Sequence, residues 1–205
     1  MKSPKVAEFL KDSDEYIVAE AARAINDDES IPEALPALAA VLQENRFSSE
    51  VILRRAINAC LRVGGKGEIQ TLVQFAERND ITDVVRAEAI ATLGSWANPS
   101  VMDRVDGRHS GKLDRNPADV AGIIEPKIGK FLSSSNPEVL ISTAKLLGEL
   151  NIKGYRSEET QLFLNHKNPK VRLAFLNSLV ALNDPNMSIL VQKGIEDADK
   201  NVRST

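Results

Sequence analysis

Apolar residues recur along the chain in short blocks at helical spacing, and polar residues, glycine or proline separate the blocks. In the clearest block, residues 81–96 (ITDVVRAEAIATLGSW), small apolar residues recur at helical spacing as far as Leu93, and Gly94 ends the run. Similar blocks begin near Asp14, Ser49, Asn136, Asn168 and Asp199. The pattern predicts an all-α repeat protein whose unit is a pair of helices.

The blocks follow one another at a nearly constant spacing. When they are superposed, equivalent positions are 36, 32, 54, 32 and 31 residues apart: Ile17, Leu53, Val85, Val139, Val171 and Val202. The one long interval contains a polar, aperiodic stretch of about twenty residues, and its removal restores the common period. A period in the thirties is typical of helix–turn–helix repeats.

Short polar signals mark where several helices should begin. Asparagine precedes proline at Asn116, Asn136 and Asn168, which predicts helices over residues 117–132, 137–150 and 169–182. Asparagine accepts a hydrogen bond from the first turn, and proline lacks the N–H that this turn would leave unpaired. Ser30 and Glu33 predict a capping box before another helix. In the first block, Ile17, Ala21 and Ile25 are expected to form the buried stripe of a helix over residues 15–25.

Residues 97–116 break the helical pattern and predict a loop inserted into the scaffold. Because such loops often carry recognition, we expect a partner-binding site here. Its candidate residues are Trp96, Asp103, Arg104, Asp106, Arg108 and His109. Two other interpretations remain open: internal ion pairs could simply hold the loop, and Trp96 could plug the junction between the repeat and the loop or stack on a base. An EF-hand calcium loop is not favoured, because Val105 occupies a position that requires an oxygen ligand.

Four arginines occupy the same position of the repeat: Arg54, Arg86, Arg172 and Arg203. A row of arginines on one surface could bind an acidic partner. The favoured interpretation is a structural ladder, in which each arginine pairs with an acidic or amide side chain of the preceding turn, such as Asp83 or Asn168.

Composition removes several classes of function. The 26 basic and 29 acidic residues give a net charge of −3, so the basic surplus typical of nucleic-acid binding is missing. The single cysteine excludes an intrachain disulfide and a zinc site built on paired cysteines. His109 and His166 have no neighbours at metal-ligand spacing, and no catalytic motif is present. We therefore expect no enzyme activity and no cofactor.

Residues 123–150, IIEPKIGKFLSSSNPEVLISTAKLLGEL, resemble the HEAT repeat. They combine a proline in the first helix (Pro126), an Asn-Pro-Glu-Val turn and a run that ends Leu-Leu-Gly-Glu-Leu. Other blocks match in register, so the resemblance covers nearly all of the chain except residues 97–116. It implies a right-handed α-α superhelix of about five helix pairs, with the second helices lining its concave side.

A narrower resemblance lies in residues 93–111, LGSWANPSVMDRVDGRHSG. They are similar to the HEAT-repeat region of large secreted bacterial proteins of the haem-binding, sugar-dehydrogenase-like type. This resemblance implies a parent protein with a β-propeller and a c-type cytochrome domain. This chain has no Cys-x-x-Cys-His sequence, so it could not itself attach haem.

We expect residues 1–205 to form a single solenoid that ends in a truncated repeat over residues 199–205, as in a module taken from a larger multidomain protein. No apolar run approaches the roughly 20 residues that cross a bilayer, so we expect no membrane insertion. The N-terminus lacks the apolar core of a signal peptide, which favours the cytoplasm. The parent-protein resemblance would instead imply a secreted or periplasmic location.

The leading functional prediction is a non-catalytic scaffold that binds another protein or a neighbouring domain of the parent chain. The first alternative is a nucleic-acid-binding enzyme like the HEAT-like DNA glycosylases, which the charge and the few aromatic residues disfavour. The second is a HEAT-like bilin lyase subunit, for which the sequence shows no diagnostic residues.

Overall fold

A computed structural model describes residues 3–27, 31–109 and 111–204. Its described residues form helices and loops with no strand beyond one isolated bridge. The α-helices are α1 Glu15–Asp27, α2 Leu35–Ala40, α3 Glu50–Val63, α4 Lys66–Ala76, α5 Asp83–Gly94, α6 Ala118–Ile124, α7 Ile128–Leu132, α8 Pro137–Glu149, α9 Arg156–Asn165, α10 Pro169–Ala181, α11 Met187–Ile195 and α12 Lys200–Arg203. Short 3₁₀ helices are Pro4–Lys11, Pro32–Ala34, Val41–Gln43, Ser95–Ala97 and Glu125–Lys127.

These elements alternate as the first and second helices of successive pairs. The second helices α1, α3, α5, α8, α10 and α12 pack side by side in chain order and form one continuous layer. The described residues contain five complete pairs, followed by α11 and the four-residue α12. The all-α solenoid predicted from the sequence is confirmed.

The predicted starts of the second helices are confirmed by their caps. The side chain of Asn136 accepts a hydrogen bond from the backbone N–H of Glu138 at 2.8 Å, and Asn168 accepts one from Lys170 at 2.9 Å. The helix predicted over residues 117–132 is divided, because α6 and α7 are separated by a 3₁₀ turn that contains Pro126. Ser30, the predicted cap of another helix, lies outside the described residues.

The core follows one position of the repeat. Each later second helix packs against the preceding one, and its third residue is at most 1% exposed: Ile52, Val85, Val139, Val171 and Val202. The equivalent residue of α1, Ile17, is 37% exposed. The prediction that Ile17 belongs to the buried stripe is wrong, because among the described residues no helix pair precedes α1. Cys60 lies in this core, and burial raises the pKa of its thiol to about 12.

Two glycines allow neighbouring second helices to approach closely. A Cβ atom added at Gly94 of α5 would lie 3.0 Å from the Cα of Leu146 on α8 and would meet the carboxylate of Glu149. Gly148 of α8 approaches Ser178 and Ala181 of α10 in the same way. The close contact between α5 and α8 therefore depends on the absence of a side chain at Gly94.

Gly94→Leu is expected to lower the free energy of unfolding by about 1–3 kcal/mol, because the added side chain must push α5 and α8 apart. Urea denaturation would measure the change. The control is Gly122→Leu, since Gly122 lies in α6 and a Cβ there meets nothing within 4 Å. This control should be neutral or slightly stabilising. Equal destabilisation by the two variants would contradict the close packing described here.

Candidate functional site

The insertion folds back over the layer of second helices. Between Ala97 and Ala118 the described residues contain no helix, and an antiparallel bridge joins Met102 to His109. Inside this small hairpin the N–H of Asp103 donates to the carbonyl of Arg108 at 2.7 Å, and the N–H of Gly107 donates to the carbonyl of Asp103 at 3.0 Å. From here on, "the inserted loop" means residues 98–116.

Asp103 fixes the inserted loop to the scaffold. Its side chain is 9% exposed. One carboxylate oxygen accepts hydrogen bonds from the N–H groups of Val105 and Asp106 at 2.7 and 3.2 Å. The other oxygen accepts a bond from the side-chain amide of Asn58 on α3 at 2.6 Å. The carboxylate thus stabilises the turn of the loop and binds it to the second-helix layer at the same time.

The Asn58 amide continues a buried polar chain that joins three parts of the fold. It also donates to the side-chain oxygen of Asn26 at 2.9 Å, and Asn26 donates to Asp27 at 2.9 Å. Asp27 accepts two bonds from Arg55 at 3.0 and 2.7 Å. Although its burial opposes ionisation, the pKa of Asp27 lies below its usual value because Arg55 and Asn26 stabilise the charged form. The inserted loop is therefore joined to both α1 and α3 through satisfied polar groups.

Arginines of the loop region also occupy the carbonyl ends of two second helices. Arg108 donates to the carbonyl of Asp27 at the end of α1, and Arg115 donates to that of Leu61 near the end of α3 at 2.7 Å. Cations are favoured at helix C-termini, where carbonyl groups have no partner within the helix. Gly64 has a φ of 68°, and a Cβ there would collide with the Arg115 guanidinium.

The predicted partner-binding set divides into buried and exposed residues. Trp96 is 2% exposed, and the guanidinium of Arg115 lies 4.8 Å from the centre of its ring. Trp96 and Asp103 therefore face the interior and hold the loop in place, so neither presents its side chain to a partner. Arg104, Arg108 and His109 lie at the surface, and Asp106 is half-buried.

A groove lies between the inserted loop and α8. Its volume is about 510 Å³, and helices α5 and α8 form its two long sides. Its floor is apolar and made of small or branched side chains: Val84, Ala87, Ala91 and Ile141. Charged side chains surround this floor: Arg54, Glu88, Arg104, Glu138, Lys145 and Glu149. We call this feature the α5–α8 groove.

Glu88 connects the inserted loop to the groove. It accepts two hydrogen bonds from Arg104 at 2.8 and 3.1 Å, and the Arg54 guanidinium lies 3.6 Å from one of the same carboxylate oxygens. These hydrogen bonds raise the pKa of Arg104 above its usual value. On the opposite side, burial raises the pKa of Glu149. The loop thus supplies one wall of the groove, and its position there is held by a bidentate ion pair.

Three of the four predicted ladder arginines share one geometry. Arg86 donates to the carbonyl of Ala76, Arg172 to that of His166, and Arg203 to that of Asp197. In each case the arginine at the start of a second helix reaches the end of the first helix in the same pair. Arg54 does not share this contact. It pairs with Glu50 and Glu88 and lines the α5–α8 groove.

A second set of basic residues was missed by sequence reasoning. Arg46 donates to the carbonyls of Leu10 and Asp12, and Arg78 donates to those of Leu42 and Glu44. Each arginine follows the first helix of one pair and reaches the end of the first helix in the preceding pair. The signal was present, because these two arginines lie one repeat period apart and each follows a predicted helix.

Two further features are absent from the described residues. No group of three or more His, Cys, Asp or Glu side chains is placed to hold a metal ion there. No described helix is long and apolar enough to cross a bilayer.

The comparisons with known proteins agree with the architecture. Residues 3–94 match the sequence model of HEAT repeats. No curated protein sequence matches the chain. Together with the fold, the match supports a HEAT-repeat protein.

Three solved structures with similar folds have low sequence identity. An engineered protein is 17% identical and has a TM-score of 0.65, with 98% of this chain and 93% of that chain covered. A chain of the CpcE–CpcF complex of phycocyanin lyase from Nostoc sp. PCC7120 is 18% identical, with a TM-score of 0.60 and coverages of 99% and 74%. A designed armadillo repeat protein is 15% identical, with a TM-score of 0.58 and coverages of 98% and 95%. These likenesses describe the helical-repeat fold alone.

Proposed function

We propose that the protein is a non-catalytic scaffold and that it binds a segment of another protein in the α5–α8 groove. The observation that carries this proposal is the groove itself, with its apolar floor, its charged rim and the inserted loop as one wall. Binding sites of this kind combine an apolar base with a few oriented polar groups. The fixed attachment of the loop supports the proposal, because a preorganised wall lowers the entropic cost of binding.

The charges of the groove favour a peptide or protein surface over a nucleic acid. Three cationic side chains and three carboxylates line the groove, so a polyanion would meet as much repulsion as attraction. The lining residues include no aromatic side chain on which a base could stack. Trp96, the one tryptophan, is buried beneath Arg115. A partner with apolar residues flanked by both signs of charge would complement this surface.

Ala91→Arg is expected to weaken partner binding at least about tenfold, because a long charged side chain would fill the apolar floor. The partner would first be captured on the immobilised protein, identified by mass spectrometry and purified, and its affinity then measured by calorimetry. The control is Gln70→Arg, which adds the same side chain to α4 on the side of the first helices. Equal affinities for the wild type and Ala91→Arg would exclude the groove as the binding site.

The glycosylase-like alternative has a simple test. Mobility of duplex DNA would be measured with the protein at low and high salt. A scaffold that binds only proteins should cause no shift at either salt concentration. A shift that disappears at high salt would show phosphate-dependent binding and would contradict a scaffold dedicated to proteins.

Two finer predictions remain proposals. The prediction of a parent protein of the secreted haem-binding, sugar-dehydrogenase-like type rests on residues 93–111. The structure gives several residues of this stretch structural roles. The parent gene should then encode a β-propeller before this region and a Cys-x-x-Cys-His sequence after it. The bilin lyase alternative gains no further support from the phycocyanin lyase chain, because the likeness to that chain is one of fold alone.

A further inference from the structure

The α5–α8 groove follows the axes of its two helices. Gly94, the last residue of α5, lies against Leu146 and Glu149 near the end of α8, so the two helices run in the same direction. The lining residues form one row on α5, from Val84 to Ser95, and one row on α8, from Glu138 to Glu149. Each row spans eleven positions, which is about 16 Å or three helical turns.

The floor of the groove offers a bound segment no hydrogen-bond partner. It consists of apolar side chains, and no asparagine or glutamine is among the lining residues. The Ser95 hydroxyl already donates to the carbonyl of Ala91 in its own helix at 3.1 Å. An extended segment would place backbone N–H and C=O groups against this floor, where they would lose water without gaining partners. A helix bonds these groups internally, so the floor favours a helix.

Small side chains on α5 leave room for a third helix. Ala87, Ala91 and Ser95 recur every four positions and form one row along α5. Rows at this spacing form the grooves into which the side-chain ridges of another helix pack. Val84 and Ile141 border this row and are accessible to apolar side chains of the bound helix. The occupant should therefore be amphipathic, with apolar residues along one face.

The charges on the two sides of the groove differ in how they are paired. On α5, Glu88 is already held by two arginines. On α8, Glu138, Lys145 and Glu149 are exposed, and none of them forms an ion pair with another described residue. Glu149 is also the last residue of α8, where the helix dipole disfavours a negative charge. These three residues, which we call the α8 edge, therefore present an alternating pattern of charge to a partner.

We infer that the groove binds an amphipathic helix of about three turns, with charges complementary to the α8 edge. This inference rests on the proposed function and specifies the partner of that site. On a helix that lies along α8, two basic residues eleven positions apart would face Glu138 and Glu149. An acidic residue four positions from the one that faces Glu149 would meet Lys145. Complementary charges of this kind fix the register of a complex and exclude wrong partners.

Two synthetic peptides test the charges. Both are held helical by a side-chain staple on the outward face and carry leucines on the face that meets the floor. One has lysines eleven positions apart and two glutamates between them, each four positions from one lysine, so the order is the same from either end. The other has lysine and glutamate exchanged, which preserves composition and net charge. By fluorescence anisotropy the first should bind at least about tenfold more tightly. Equal affinities would overturn the charge pattern.

A third peptide tests the helix. It keeps the lysines, glutamates and leucines of the first, but has no staple and carries prolines at outward positions, where they prevent a helix without touching the groove. Its affinity should be at least about tenfold lower than that of the stapled peptide. An equal or higher affinity would show that the groove takes an extended segment and would overturn the inference.

Glu149→Lys tests the α8 edge from the side of the protein. It should weaken binding of the first peptide about three- to tenfold, because it turns an attraction into a repulsion. The control is Glu158→Lys, the same change at an exposed position of α9, which should have no effect. Equal effects of the two variants would contradict a contact at Glu149. If no peptide bound while Ala91→Arg still weakened the captured partner, the helix would be wrong and the groove would remain the binding site.

Discussion

Asp103→Ala is expected to release the inserted loop and to lower the free energy of unfolding by about 3 kcal/mol. The substitution removes the acceptor for two backbone N–H groups of the loop and for the Asn58 amide. Because Asn58 is buried, its amide would lose a partner that water cannot easily replace. Hydrogen exchange of the loop amides and urea denaturation would measure the two effects separately.

The control for this substitution is Asp106→Ala in the same turn. Asp106 is half-buried, and its side chain accepts a single backbone hydrogen bond, from the N–H of Arg108 at 2.9 Å. Its loss should change the stability by less than about 1 kcal/mol. If both variants behaved alike, or if exchange in the loop stayed as slow as in the wild type, Asp103 would not be the attachment point.

Glu159→Gln is expected to stabilise the protein by about 2–3 kcal/mol above pH 7 and to have little effect below pH 4.5. Glu159 is fully buried on α9, and neither of its carboxylate oxygens has a hydrogen-bond partner among the described residues. Burial raises its pKa to about 7, from 4.5 in an unperturbed chain. Ser178 and Arg156 lower this pKa and offset only part of the effect of burial, whereas the Asp184 carboxylate raises it further.

The sign of this effect follows from proton binding. Between pH 4.5 and about 7 the folded state keeps the Glu159 proton that the unfolded chain has lost. Raising the pH through this interval therefore favours the unfolded state, and the loss is complete above about pH 7. Glutamine cannot ionise, so the Glu159→Gln variant lacks this dependence. The difference in stability between the variant and the wild type should therefore grow as the pH rises through this interval.

Thermal and urea unfolding between pH 4 and 8 would follow the difference between Glu159→Gln and the wild type. Glu158→Gln is the control, because Glu158 is exposed on the same turn of α9. It should leave the profile of the wild type unchanged. A constant difference across the whole pH range would show that Glu159 is not protonated in the folded state at neutral pH.

The sequence predicted the elements whose causes are local. Asn136 and Asn168 cap their helices through N–H groups two residues away, so the Asn-Pro pairs were sufficient to place α8 and α10. The apolar period likewise identified the buried third residue of α5, α8, α10 and α12, because one face of a helix can be read from spacing alone. In α3 it pointed to Leu53, the fourth residue, which is also buried.

The position of the inserted loop could not be predicted, because its contacts join distant parts of the chain. Asp103 is 45 residues from Asn58, and Arg108 is 81 residues from Asp27. No period or motif connects such pairs. The sequence therefore indicated the loop as a place for function, but not that it lies over α1 and α3 and forms a wall of the α5–α8 groove.

Two single residues show the same limit. Ile17 has the right spacing for a core stripe, yet its burial depends on a preceding helix pair that the described residues do not contain. Arg54 follows Leu53 as Arg86 follows Val85. However, α3 begins four residues before Arg54 and α5 begins three before Arg86. This shift of one residue turns Arg54 towards Glu88 instead of the end of a first helix.

Photocrosslinking from the groove in living cells would test the central claim most directly. A photoreactive amino acid at Lys145, which lines the α5–α8 groove and is exposed, should form a covalent adduct with a discrete partner protein. The same amino acid at Gln70, exposed on α4 on the side of the first helices, should not capture that partner. Adducts of this partner from Gln70 and none from Lys145 would contradict the assignment of the groove as the binding site.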